Sequence, residues 1–355
     1  MSALNARRRG AARTGKQRGA ARTAKLRGAA RTAKQRGAAL LLAMIILTLV
    51  STVAAGMVWQ QSRAIQVEAA ERARVQAAWI LNGALDWARL ILREDARTVA
   101  GGNGNSATVD HLGEPWAVPL AEARLSSFLA ADRDNTTDSG PEAFLSGAIV
   151  DAQSRYNLRN LVDNEGKLVA AEQRTLQRLC DVAGVPADIG GRIAEGVRAA
   201  WAPAEGDGAS AAPLAPSRLE QLAWLGIDKA VLQRLQPFVV LLPLRTPVNV
   251  NTASREVLVA VLDGLDLGTA ERLVQLRQRN PFNSLDELRA QLSQAIKTED
   301  TRVSVGSVYF EVLGRLRLED RILEEHSLLE RRGGDRGAEV VAVQRERRSA
   351  LATTQ

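Results

Sequence analysis

The chain has 355 residues, 46% of them apolar and 4% aromatic, with 47 Lys+Arg against 40 Asp+Glu, a formal net charge of +7 and one cysteine. The lone Cys180 excludes an intramolecular disulfide framework, and the length is ample for one large or two small folded domains. The charge is unevenly placed: residues 1–37 hold 12 Lys+Arg and no acid, leaving 35 basic against 40 acidic residues after them. The high pI therefore belongs to the first 37 residues, and nucleic-acid binding driven by bulk charge is disfavoured.

Those residues repeat a nine-residue phrase, with RGAA beginning at Arg9, Arg18, Arg27 and Arg36. Only the fourth copy runs into leucines. From Ala38 to Ser62 no residue is charged, and Ala38–Val58 is long enough to cross a bilayer as a helix. Basic residues remain on the cytoplasmic side, which leaves the chain from about residue 60 outside. The apolar run is too long for an ordinary secretory signal and no small-x-small cleavage site follows it. Any cleavage must therefore precede the run.

Ala70, Ala73, Ala77, Ile80, Ala84, Trp87 and Ile91 recur at spacings of three and four, predicting that the same helix continues to about Arg97 with this stripe laid on a folded domain. GGNGN at 101–105 ends it. LGEPWAVPL (112–120) and GAIVDAQSRYNL (147–158) read as strand or strand-and-turn. In VYFEVLGRLRLED (308–320), Phe310, Val312, Gly314, Leu316 and Leu318 alternate with Glu311, Arg315 and Arg317, a half-buried strand. AEVVAVQRE (338–346) reads as one more strand and RRSALATTQ as a frayed tail.

A helical stretch, about 168–294, separates these strands. LCDVAGVPADIGGRI, EQLAWLGIDKAVLQRL and LVAVLDGLDLGTAERLVQL share one shape: helix, glycine, apolar residue, helix. Ser217 with Glu220 and Ser284 with Glu287 read as capping boxes. The third copy, in VNVNTASREVLVAVLDGLDLGTAERLVQLRQRNPFNSLDEL, resembles a helix-hairpin-helix module of the DNA-uptake type. The binding signal is poor. DNA-binding hairpins place Gly-apolar-Gly against a phosphate, whereas these read Gly184-Val185-Pro186, Gly226-Ile227-Asp228 and Gly264-Leu265-Asp266. Proline removes a donor, and aspartate repels the phosphate. A membrane-tethered DNA-binding or uptake protein is kept as the alternative reading.

A basic leader ending in glycine, an uncharged helix continuing as an amphipathic stalk, and then a small sheet resemble the plan of type IV pilin-like proteins. The segments RGAALLLAMIILTLVSTVAAGMVWQQ, AAWILNGALDWARLILRED, LGEPWAVPL, DAQSRYNLRNL and PVNVNTASREVLVAVL, in that order across residues 36–320, resemble the large minor pseudopilin K family of type II secretion systems (GspK). The resemblance implies an α+β, type IV pilin-like fold: a long N-terminal helix packed on a small antiparallel sheet, with a large all-α insertion of helix-hairpin-helix/SAM-like type. It divides the chain into a basic prepilin leader (1–37), the transmembrane half of the helix (38–60), its periplasmic half (61–100), the first part of the sheet (101–167), the inserted helical domain (168–295), closing strands (296–330) and a C-terminal strand with flexible tail (331–355). It implies cleavage between Gly37 and Ala38 by prepilin peptidase, then methylation of Ala38. Pilins carry Glu five residues into the mature chain. Here that position is Leu42, as the resemblance implies for a subunit at the filament tip with no neighbour above. The implied role is to cap the tip of the periplasmic pseudopilus and help initiate its assembly for export of folded proteins. The implied location is the inner membrane of a Gram-negative bacterium, single-pass with the N-terminus cytoplasmic. Implied partners are the I- and J-type minor pseudopilins, through the helix and the globular head, with secreted cargo or the outer-membrane secretin as further candidates and no nucleic acid.

No catalytic set is legible: His111 and His326 stand apart, and there is no phosphate loop, cysteine cluster or H-E-x-x-H. An enzyme is not expected and no cofactor is required. Asp132, Asp134, Asn135 and Asp138 give closely spaced oxygen ligands in a loop, a chemistry calcium favours. Members of the resembled family bind calcium, and Asp110, Asp151 and Asp163 are further loose candidates.

Overall fold

In a computed structural model of the chain, the described residues are 5–100, 109–125, 143–201, 213–318, 321–333 and 338–351, with side chains described from 37 to 96 in the first segment and up to 348 in the last. The candidate calcium ligands Asp132, Asp134, Asn135 and Asp138 therefore lie outside the described residues. The chain separates into two compact units, Met1–Val75 and Gln76–Gln355.

Helix α1 runs Asn5–Ala100. It begins well before Ala38, where the sequence reading started it. Residues 1–37 are rich in Ala, Arg and Lys, strong helix formers, and contain no proline, though glycines recur among them. Within the first unit, the large apolar residues from Leu40 to Val58 are each 50–67% exposed.

In the second unit, five antiparallel strands form a sheet in the order β1 (Leu120–Arg124), β2 (Ala143–Asp151), β7 (Tyr309–Leu318), β8 (Arg321–Arg332) and β9 (Glu339–Leu351). The register between β2 and β7 is unbroken from Ala143↔Leu318 to Asp151↔Phe310. The expected alternation holds, with Phe310, Val312, Leu316 and Leu318 buried. The stretch 112–119 is a turn and a short 3-10 segment, Pro115–Ala117, and β1 starts only at Leu120. The tail from Arg347 is not frayed as far as Leu351: β9 pairs with β8 out to Arg321↔Leu351, and Arg347 joins Arg345 on the buried carboxylate of Glu325.

The helix lies on one sheet face. Leu85, Ala88 and Leu92 pack with Trp116, Phe310, Val312 and Leu329. Trp116 meets Phe310 edge-on, with centroids 5.3 Å apart. Gly314 earns its place in β7 because a Cβ there would sit 3.3 Å from Leu81 Cδ2. The buried stripe is Ala77, Leu81, Leu85, Ala88, Leu92 and Ala96, rotated from the one read in the sequence. Ala77 is shared, but Trp87 is 62% exposed. The leucines, branched and fully apolar, take the core face, and the indoles turn away.

Between β2 and β7 the chain builds its larger core. It contains β3 (Tyr156–Asn157) paired parallel with β4 (Val239–Val240), and β5 (Val248–Asn249) paired parallel with β6 (Val303–Ser304). Helices α2 (Ala170–Val182), α3 (Asp188–Trp201), α4 (Lys229–Leu235), α5 (Arg255–Val261), α6 (Leu267–Arg279) and α7 (Leu285–Arg289) surround Leu158, Leu176, Ile193, Leu222, Val257 and Leu273. Val240 and Leu242 reach the other sheet face at Tyr309 and Leu328.

Candidate functional site

Gly37, Ala38 and Leu42 all lie within α1 and are exposed. Leu42 carries no charge at a position 60% exposed. Further along, the side of α1 opposite the core keeps Trp79 (72%) and Trp87 (62%) in the open, with Leu90 beside them. Gly83, one turn from each indole, has nothing within 4 Å of where a Cβ would be. Bare tryptophans two turns apart on a rigid helix are features of a packing surface.

The end of α1 meets the sheet at a buried charge cluster. Asp95, Asp110 and Glu114 bring carboxylate oxygens within 4.8 Å of one another. Arg331, from β8, donates to Asp95 (2.9 Å), to Asp110 (2.6 and 2.7 Å) and to the carbonyl of Ser307 (2.8 Å), and its guanidinium lies 5.0 Å from the Phe310 ring centre. Asp110 also accepts from Ser307 N at 2.7 Å. Glu114 accepts from His111 N (2.8 Å) and from the Trp116 indole (2.7 Å). Burial pushes Asp110 up to about 6 against the pull of Arg331, and burial with nearby Asp95 pushes Glu114 up to about 7. His111 is not isolated: its Nδ1 accepts from Gly113 N, Glu114 is beside it, and burial lowers its pKa. A hard cation such as calcium seeks six to eight oxygens. Here Arg331 already occupies the two oxygens of Asp110, so this trio does not fit calcium.

Asp151, at the end of β2, is buried among neutral donors. It accepts from Gln153 N (2.8 Å), Asn249 Nδ2 (3.0 Å), Thr252 Oγ1 (2.5 Å) and Ser307 Oγ (2.7 Å). Burial raises its pKa. Asn249 Nδ2 also lies 3.0 Å from the Asp110 carbonyl, and Asn251 bonds Phe282 in both directions. VNVNT thus ties the inserted helices to the sheet, a role the sequence reading missed. Its signal was there: two amides and a hydroxyl interrupt an apolar run. Asp163 instead accepts from Glu165 N and Lys167 N in its own exposed turn, which lowers its pKa.

The three repeats share backbone geometry. Gly184, Gly226 and Gly264 have φ of 63°, 76° and 87°, a region other residues avoid. After two of them an aspartate caps the next helix: Asp228 accepts from Ala230 N and Asp266 from Thr269 N, at 3.2 and 2.9 Å. The helix N-termini that would face a phosphate hold their own carboxylates, and Asp263 pairs with Arg178 at 2.6 Å. This geometry disfavours the DNA-binding alternative. Ser284 caps α7 as expected. Near Ser217 the capping side chain is Gln221, which accepts from the backbone N–H of Ser217 and Arg218, not Glu220. Arg277 is buried and bonds the carbonyls of Val250 and Ala253. Burial lowers its pKa to about 10.

Two family models described as type II secretion system (T2SS), protein K, match residues 154–244 and 248–306. Type II secretion system protein K of Pseudomonas aeruginosa strain PAO1 is 32% identical over 301 residues, covering 80% of this chain and 85% of that protein. A chain of the GspK-GspI-GspJ complex from the enterotoxigenic Escherichia coli type 2 secretion system has the same fold, with a TM-score of 0.55 and 21% identity over 78% of this chain and 98% of that one. The chain belongs to the type II secretion system protein K family: a minor pseudopilin with a long N-terminal helix on an antiparallel sheet and one apolar stretch fit to anchor it in a membrane.

Proposed function

We propose that this chain caps the tip of the periplasmic pseudopilus and helps initiate its assembly, without enzymatic activity. The observation that carries the reading is the uncovered helix: Leu40–Val58 bare on all sides, then an open face at Trp79 and Trp87. I- and J-type minor pseudopilins are the occupants that fit, as in the similar E. coli complex. Leu42 supports a tip position, because a carboxylate in lipid persists only where a neighbour pairs with it. The inserted helices, read as helix-hairpin-helix modules, serve as a rigid head that blocks further subunits and offers a surface to cargo or the secretin. The division at 37/38, 60/61, 100/101, 167/168, 295/296 and 330/331 is retained as the domain plan. The chain sits in the inner membrane with residues 1–37 cytoplasmic. Calcium at Asp132, Asp134, Asn135 and Asp138 remains part of the proposal, tested by calcium-dependent melting of the wild type against a variant with all four replaced by Ser.

The first test is intact mass and N-terminal sequence of the protein from host membranes, with and without prepilin peptidase. The expected product begins at methylated Ala38 and depends on the peptidase. A chain keeping residues 1–37 in both strains would overturn the processing. Failure to co-purify with I- and J-type subunits would overturn the tip assignment.

A further inference from the structure

We propose that Trp59 and Arg63 form a lipid-headgroup anchor that sets the depth of the membrane helix by binding a phosphate at the outer surface of the bilayer. The inference rests on the reading that Ala38–Val58 spans the membrane. At 1.5 Å per residue that stretch measures about 30 Å, the thickness of a hydrocarbon core. Trp59 is the next residue, 66% exposed. Gln60, Gln61 and Ser62 follow, then Arg63, the first charge after the leader. The Arg63 guanidinium carbon sits 5.5 Å from the centre of the Trp59 ring, one helical turn away.

The charges around Arg63 single it out. Arg72 pairs with Glu68 and Arg74 with Glu71. Among the described residues Arg63 has no carboxylate partner, so its cation is left for a ligand outside the chain. An indole prefers the boundary between lipid tails and headgroups. An arginine stacked on it can bury its stem and lift a flat, multiply donating head toward phosphate. Thr48 and Thr52 return their hydroxyls to the carbonyls of Ile45 and Leu49 (2.9 and 2.8 Å), so these two groups within the span do not compete with this end for depth.

The test uses the full chain in phosphatidylcholine–phosphatidylglycerol vesicles, with lipids brominated near the headgroup or near the bilayer centre. The spectrum of the wild type minus that of Trp59→Phe isolates Trp59. Quenching by the shallow label at least about twofold stronger than by the deep one is expected. That preference should fall in Arg63→Gln, and also for the wild type in vesicles of a phosphate-free galactolipid. If the chain floats with vesicles but Trp59 answers only to aqueous iodide, or Arg63→Gln changes nothing, the anchor is overturned and the spanning reading stands. If the chain does not float with vesicles, the spanning reading fails and the anchor with it.

Discussion

Two buried carboxylates sit on either side of Ser307 and are held in different ways. Asp110 faces a cation, Arg331, with Asp95 and Glu114 crowded around it. Asp151 accepts from hydroxyls and amides. Ser307 touches both, its N–H on Asp110 and its hydroxyl on Asp151. The first seam fastens α1 to the sheet, and the second fastens the inserted helices to it. A seam closed by opposite charge fails when one charge is removed. A seam closed by neutral donors fails when its acceptor loses hydrogen-bonding capacity.

Removing the cation gives the largest effect. Arg331→Met leaves Asp110 buried without its partner and should lower stability by about 3–5 kcal/mol at pH 8, read as a urea midpoint. The loss should shrink at pH 5, where Asp110 can protonate. On the other seam, Asp151→Leu strands Thr252, Ser307 and Asn249 and should cost about 3 kcal/mol, and because burial raises the Asp151 pKa the loss should grow toward acid, opposite in sense to Arg331→Met. Asp151→Asn, which keeps an acceptor, should cost about half as much. Equal pH dependence of Arg331→Met and Asp151→Leu would erase the distinction between the seams.

Proton linkage sharpens it. Asp110 and Glu114 have folded pKa values raised to about 6 and about 7, so the folded state binds protons that the unfolded chain has released. Their contribution is therefore fully present at low pH and is lost as pH rises through 6 and 7. Asp263 and Glu325, held by arginines that depress their pKa values, contribute above the ordinary carboxylate range and lose it in acid. The midpoint should thus be higher near pH 5 than at pH 8. Glu114→Gln, which keeps an acceptor for the His111 N–H and the Trp116 indole, should flatten that slope by about 1 kcal/mol. The smallest effect belongs to a control beyond both seams. Trp87→Ala should change stability by less than about 0.5 kcal/mol yet weaken co-purification with partner subunits, whereas Leu85→Ala on the core face should cost about 2–4 kcal/mol.

Local patterns were read well where a residue's fate depends on near neighbours. The alternation in β7 and the three glycine turns needed only a few adjacent residues. The helix stripe lies one position from the expected one, because Ala84 with Trp87 and Leu85 with Ala88 both satisfy the period and only the shape of the sheet chooses between them. Gly314 is one such choice, leaving room for Leu81. The strand through Arg347 was missed because its partner, Glu325, lies in another strand. The cluster at Asp110 was nearly invisible: its cation is 221 residues away, and no periodicity links them.

By itself, then, the sequence determined the long apolar stretch, the basic repeat before it, the strand and turn chemistry and the family, because each follows from composition or from short-range order that survives without a fold. Tertiary structure alone decided which face of α1 is buried, which carboxylates meet a cation and which meet hydroxyls. Those outcomes depend on groups distant along the chain becoming neighbours, and burial then sets the value of each charge and hydrogen bond.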